Sequence, residues 1–450
     1  MNIVIAGAGV VGTAVAEQLS HEGHQVVVID NDRRVLRRVE DRLDVLCVHG
    51  NASSPSILEK AGLAQAHMLI AVSPIDEVNI VVGMLAKRAG VETRLVRLRN
   101  IEYSREPVLS FLKESGIEHI INPDPTIVNA LVRMLEIPGT NDIATLAGGE
   151  ILMIGVEIPE NSPTAGRSLA EIRDLGALDT FIILNITRGD DVFVPSGEDQ
   201  LQVGDHARLL VARDMIPFMV PMIHREPKQT RTVIISGANR LGLELAEALV
   251  DKVQRLVIIE PDGELAEEAA NFVEKAMVLT GDPTDLEVLE EASIDLADLF
   301  CAVMEDDQKN FLSALLAKKH GAAKSAVLVR QHDYISVLDS LGSDIVINPR
   351  LVTVGEIMAY VRKGHIHSVT QMAKTKAEVL EMVAPADSPI IKEPLRKIKF
   401  PKNAIVGAIV RDGLMQLPVG DTQIQPGETC IVYTLPEGIS KIEKLFTSRK

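Results

Sequence analysis

Short runs of Val, Ile and Leu, apolar at consecutive positions, are separated through the first 138 residues by stretches with helical spacing. They fall near residues 3–6, 26–30, 45–48, 68–72, 94–98 and 118–121. Strands that are apolar on both faces and joined through helices belong to a parallel sheet covered on both sides. The register returns from about residue 232, where Gly281, Asn310, Arg330 and Tyr334 match Gly50, Asn79, Arg99 and Tyr103 at a constant offset of 231. The duplication therefore spans a whole domain.

A second pattern follows each sheet domain. Residues 139–216 read as short alternating strands with one helix, including Ile151 to Ile158, Phe181 to Thr187 and Ala207 to Ala212. It recurs over 367–450: Ser162-Pro163, Leu169 and Ile172 are matched by Ser388-Pro389, Leu395 and Ile398, and Pro195, Gly197 and Gly204 by Pro418, Gly420 and Gly427. Residues 217–231, with Met219, Met222 and three prolines, read as a connector in which the methionines are packing filler. The predicted fold class is α/β. A Rossmann domain with its crossover helix (1–138) and a small α+β lobe (139–216) are followed, after the connector, by a second Rossmann domain (232–366) and a second lobe (367–450). The crossover segment Pro125 to Ile137 is apolar over more than one face, which leaves it either fully buried or with surface for a partner subunit.

Each sheet domain opens with a strand, a glycine-marked turn and a helix, and an acid follows eighteen residues after the last glycine. The first copy is Gly7-Ala8-Gly9-Val10-Val11-Gly12 with Asp30; the second is Gly237-Ala238-Asn239-Arg240-Leu241-Gly242 with Glu260. This is a dinucleotide fingerprint: a tight turn at Gly7, close backbone approach to a diphosphate at Gly9, helix–strand packing at Gly12, and the anion at a helix N-terminus. Asp30 suits a ribose diol and opposes a 2′-phosphate, favouring NAD(H) or an adenosine nucleotide, although Arg33 and Arg34 could receive that phosphate. In the second copy Asn239 adds a side chain where backbone should approach, and Asn tolerates left-handed geometry. Leu328 stands for Arg97, and Glu305-Asp306-Asp307 for Pro74-Ile75-Asp76, bringing negative charge toward any phosphate, so the first site is expected to bind more tightly.

Composition narrows the classes. The 46 Lys and Arg against 63 Asp and Glu give a net charge of −17, which opposes general affinity for nucleic acid or anionic lipid. The first strand begins at Asn2 and no apolar run reaches the ~20 residues needed to span a bilayer, so a cytoplasmic protein without membrane insertion is expected. Cys47, Cys301 and Cys430 stand singly; the first two lie in strand-like runs and read as buried inert thiols, and no metal site is expected. The histidines are scattered, and the lobes hold no paired carboxylates or Ser/His/Asp arrangement, so no catalytic residues are assigned. Acids such as Asp190, Asp191, Glu198 and Asp199 read as solvated turn residues.

The opening Val4-Ile5-Ala6-Gly7-Ala8-Gly9-Val10-Val11-Gly12, with Val48-His49-Gly50-Asn51-Ala52-Ser53, Asp76-Glu77-Val78-Asn79, Arg97-Leu98-Arg99-Asn100 and Ile121-Asn122-Pro123-Asp124 in a twice-repeated two-domain order, resembles the regulator-of-potassium-conductance (RCK) family. The resemblance is to its tandem form, the cytosolic regulatory subunits of Trk potassium uptake, and covers essentially the whole chain. It implies a homo-oligomeric, tetrameric ring docked on the cytoplasmic face of a membrane potassium channel or transporter and gated by NAD(H) and ATP/ADP. It places nucleotide contacts on Gly7–Gly12, Asp30, Asn51, Ala52 and Ser73, with Arg97 and Arg99 toward phosphates; the second-copy candidates are Gly237, Asn239, Arg240, Leu241, Gly242, Glu260 and Asp282. On the residues alone, an NAD-dependent oxidoreductase or the regulator of a different ion-transport protein remain open. A gating mechanism would have nucleotide alter the angle between neighbouring Rossmann domains, pivoting at the crossover helix and the connector.

Overall fold

The computed structural model describes residues 1–137, 139–174, 181–189, 191–225, 230–331, 333–340, 344–361, 366–371, 377–411 and 414–447. Pro138, Asp190, His365 and residues 226–229 of the expected connector lie outside the described residues. By packing, the chain divides into two compact units, Met1–Pro125 with Arg350–Val361, and Thr126–Pro349 with Arg362–Lys450.

In the first unit, β1 (Asn2–Ala6), β2 (Gln25–Asp30), β3 (Leu46–His49), β4 (Met68–Ala71), β5 (Thr93–Arg97) and β6 (His119–Ile121) form a parallel sheet in the order β3-β2-β1-β4-β5-β6. All six apolar runs became strands. Val4, Ala6, Ile29, Leu69, Ala71 and Val96 fill one core with Leu58, Val82, Ala86 and Leu112 from the covering helices. Because the strand order reverses between β1 and β4, which stay paired to Ala6 and Ala71, the loops leaving their carboxyl ends run to opposite faces of the sheet, and a crevice belongs between them.

In the second unit, β7 (Thr140–Leu146), β8 (Ile151–Glu157), β9 (Phe181–Arg188), β10 (Asp191–Phe193) and β11 (His206–Ala212) make an antiparallel lobe, ordered β10-β9-β11-β8-β7. The second parallel sheet, β12 (Thr232–Ser236), β13 (Arg255–Glu260), β14 (Met277–Thr280), β15 (Leu299–Ala302), β16 (Lys324–Leu328) and β17 (Ile345–Ile347), repeats the first as β14-β13-β12-β15-β16-β17. The second lobe repeats its counterpart with β18 (Ile366–Gln371), β19 (Glu378–Val383), β20 (Ala404–Arg411), β21 (Leu414–Gln416) and β22 (Thr429–Thr434), ordered β18-β19-β22-β20-β21. The two lobes share one core: Leu146, Met153, Leu184 and Leu210 pack with Val379, Ala408, Ile431 and Tyr433.

Three local outcomes differ from the sequence reading. The start of the expected connector is a helix, Ile216–Ile223, whose Met219, Val220 and Ile223 sit in the first lobe's core. Pro217 stands in its first turn, where a missing N–H costs nothing, so this proline, which looked like linker punctuation, opens the helix, while Pro221 lies inside it and gives up one intrahelical hydrogen bond. The crossover helices also divide across the units: Pro123–Glu136 falls mostly in the second unit and Pro349–Val361 mostly in the first, where the ring of Tyr360 packs against that of His119 at a 44° tilt, centroids 4.5 Å apart. Finally, the helix shared by the lobes forms only once. Leu169–Asp174 begins on a capping box, Glu171 Oε2 accepting from Ser168 N at 2.8 Å and Ser168 Oγ from Glu171 N at 3.2 Å, whereas Pro394 fills the Ser168 position and Leu395–Lys397 makes only a 3₁₀ turn.

Among the described residues no helix is long and apolar enough to cross a membrane. Burial pushes the thiols of Cys301 and Cys430 up to about 12, and burial with the nearby Glu40 carboxylate pushes half-buried Cys47 up to about 11, which keeps all three protonated and inert at neutral pH.

Candidate nucleotide-binding sites

The glycine turn at the end of β1 is built as its fingerprint requires. Gly7 has a φ of +109°, open to glycine without strain, and its N–H donates to Ile29 O at 2.8 Å. A Cβ on Gly12 would lie 1.8 Å from Gly7 O, so any larger residue would break the turn. Gly9 has ordinary extended geometry, φ −65° and ψ −168°, and a Cβ there would meet nothing within 4 Å. Its value is open space over the helix N-terminus rather than conformational freedom. Helix Val10–His21 has no side chain capping it and no acid in its first turn, which leaves its leading N–H groups and its positive dipole end for an anion.

Asp30 ends β2 and ties the site together. Its Oδ2 accepts from Ala8 N at 2.7 Å and its Oδ1 from Asp32 N at 2.8 Å. Each oxygen retains a lone pair for a ribose hydroxyl. Arg34 pairs with Asp32 at 3.0 Å, so a 2′-phosphate drawn to that guanidinium competes with a carboxylate. Asn51 Oδ1 accepts from Ser53 N at 2.9 Å and shapes the loop after β3, while Ala52 is buried in the sheet core. Val11 and Leu241 are buried as well, so these three offer a ligand only backbone.

Two residues not assigned from the sequence position the remainder. Asn79, fully buried, accepts from Ser73 N and donates to the carbonyls of Ser73 and Arg97, each at 2.9 Å. Asp76 Oδ2 accepts from the N–H groups of Arg99 and Asn100 at 2.8 Å. Together they clamp the loop after β4, which carries Ser73, to the end of β5 at Arg97 and the loop beyond it, which carries Arg99. The signal was present, because both recur as Asp307 and Asn310, but a repeated residue does not reveal that its side chain serves the backbone.

The second copy keeps the frame and changes the lining. Ala238 N donates to Glu260 Oε2 at 2.6 Å and Asp262 N to Oε1 at 3.0 Å, as around Asp30. Asn239 is extended, φ −67° and ψ 174°, so the expected left-handed tolerance plays no part. Its Oδ1 accepts from Gly242 N at 3.1 Å and its Nδ2 donates to Val303 O at 2.6 Å. Asp282 is held rather than offered: despite burial, which raises it, hydrogen bonds from Lys309 and Thr284 bring its carboxyl down to about 2. The acidic loop is also largely occupied. Asp306 caps the helix Asp307–Lys319, Asp307 accepts from Arg330 N and Gln331 N, and Glu305 pairs with Arg330 at 3.3 Å. Half-buried Arg240 opens its helix next to this turn. Among the described residues no group of three or more His, Cys, Asp and Glu is placed to hold a metal.

Two switch-point crevices with glycine turns, acid-ended second strands and paired α+β lobes define a tandem nucleotide-fold protein. The TrkA-N domain model matches residues 3–123 and 233–349, and the TrkA-C domain model residues 153–217 and 379–447. The Trk system potassium uptake protein TrkA of Azorhizobium caulinodans is 32% identical over 99% of this chain and 98% of its own. The TrkA homolog of Archaeoglobus fulgidus is also 32% identical, over 99% of this chain and 100% of its own. The chain belongs to the TrkA family. Among solved structures, the GsuK RCK domain superposes with a TM-score of 0.61 at 17% identity, covering 100% of this chain and 95% of that one. The GsuK channel bound to NAD gives 0.60 at 18%, covering 100% and 79%. At that identity the likeness is one of fold.

Proposed function

We propose that this chain is a nucleotide-binding regulatory subunit that gates a membrane potassium-uptake channel or transporter, with NAD(H) and ATP/ADP as its ligands. The observation that carries the proposal is the first crevice: an uncapped helix N-terminus over open space at Gly9, beside an acid-ended second strand. Gly7–Gly12, Asp30, Asn51 and Ser73 would hold the nucleotide, with Arg97 and Arg99 toward its phosphates. The full-length relatives named as Trk potassium uptake proteins support the partner, and the channel solved with NAD supports the ligand class. The subunit acts in the cytoplasm on the inner face of the membrane, as a homo-oligomer, without catalysing a reaction of its own. Gating follows if nucleotide binds two conformations with different affinity.

Calorimetric titration of the purified chain with NAD, NADH, ATP, ADP and NADPH tests the ligand. Binding of NAD(H) or adenine nucleotide without consumption is the expected result; sustained oxidation or reduction of the cofactor with a small-molecule panel would point to an oxidoreductase.

A further inference from the structure

The two crevices differ in how far the chain covers its own ligand-facing edge. In the first, Gly9, Val10 and Asn51 are exposed and Ser73 is half-buried; in the second, Asn239, Arg240 and Asp282 are half-buried and Met304, in the place of Ser73, is 6% exposed. Two side-chain contacts span this edge of the second copy. The Asn239–Val303 hydrogen bond joins the turn after β12 to the end of β15, and the Asn239–Gly242 bond occupies an N–H that stays uncapped by a side chain at Gly12. Lys309, on the helix after β15, reaches Asp282, in the loop after β14, at 2.9 Å. These elements stand on opposite sides of the switch point, with Glu260 close enough to bias Lys309 electrostatically. Val78 and Asn51 occupy the two positions in the first copy, where no ion pair can form.

We propose that the second fingerprint is closed by the chain's own side chains, Asn239 bridging to Val303 and Lys309 pairing with Asp282 across the crevice, so that each chain presents one open nucleotide site. The closure rests on the first crevice holding nucleotide, as proposed above. An ion pair whose partners are 42% and 41% exposed shifts an equilibrium only about two- to fivefold. A ligand must displace it together with the Asn239 bridge, and then finds Gly242 N–H taken, so the penalties multiply. Lys309 as a phosphate ligand would have the opposite signature, since its removal would weaken binding.

The test is calorimetric titration of the full chain with NADH and with ATP. Wild type is expected to bind one nucleotide per chain, and Gly9→Asp, which adds a side chain where no atom lies within 4 Å, to lose it without loss of folding. The variant Gly9→Asp/Asn239→Gly/Lys309→Val is expected to regain a site about tenfold or more tighter than any residual binding in Gly9→Asp. If that variant melts early, Gly9→Asp/Lys309→Val alters only a half-exposed pair and should still tighten residual binding by a few fold. Two sites of comparable affinity in wild type, wild-type affinity surviving in Gly9→Asp, or weaker binding on removing Lys309 would each overturn the closure. Wild type binding neither nucleotide would instead remove the proposed function, and the closure with it.

Discussion

A single Cβ separates the structural glycines of the fingerprint from the functional one. At Gly12 and Gly242 it would fall 1.8 and 2.0 Å from a carbonyl oxygen, and at Gly9 it would fall in open space. Gly12→Ala and Gly242→Ala should each destabilise by roughly 3 kcal/mol in denaturant titration, while Gly9→Ala leaves the midpoint unchanged. Asp30→Asn carries a different signature. It turns one oxygen that accepts a backbone N–H into a donor, so it should cost about 1–3 kcal/mol of stability, weaken NADH binding and relax discrimination against NADPH. Equal NADH and NADPH affinity in wild type would show that Arg33 or Arg34 overrides the carboxylate.

At the scale of elements, the lobes are pinned by an ion pair that recurs with their strands. Arg188 grips Asp205 through two bonds of 2.8 Å, and Arg411 holds Glu428 in the same place. Each acid also caps its own turn, Asp205 accepting from Gln202 N and Glu428 from Gln425 N, both at 2.8 Å. Asp205 is 1% exposed, so Asp205→Asn leaves Arg188 facing a neutral amide and should cost about 2–3 kcal/mol. Although burial raises both carboxyls, the arginines and turn N–H groups hold them below the usual carboxylate range. A depressed folded pKa stabilises above the unfolded value, so this contribution is complete above pH ~5 and lost as pH falls through and below ~4. Thermal melts of wild type should fall over that window, and those of Asp205→Asn/Glu428→Gln less steeply.

For the whole molecule, a consequence of duplication is that the two lobes share one core. Tyr433 is fully buried among residues of both lobes, so Tyr433→Ala should cost about 3–5 kcal/mol and loosen hydrogen-exchange protection in β8 and β11 as well as in β22. Co-purification from detergent-solubilised membranes should recover an integral-membrane potassium transporter, and recovery of soluble proteins alone would favour a cytosolic sensor. Light scattering at micromolar concentration should show an oligomer; a monomer would count against a ring of regulatory subunits.

The sequence by itself determined the architecture, because that information is local and periodic. Six apolar runs per copy, glycines at turn positions and a constant offset between copies specify strands, parallel order and duplication without reference to distant residues. It determined the first glycine turn and the acid that ends β2 for the same reason. What only the tertiary structure decided is which side chains are already in use. Asp282 looks like a ligand beside Gly281, and only its meeting with Lys309, 27 residues away, makes it a closing contact. Glu305 looks like a repulsive charge until Arg330 is found against it, and the segment around Met219, a methionine already read as packing filler, looks like a connector until its helix is found in the first lobe's core. Such roles are set by which loops converge at a sheet edge, and convergence across strand order has no period that a sequence can display.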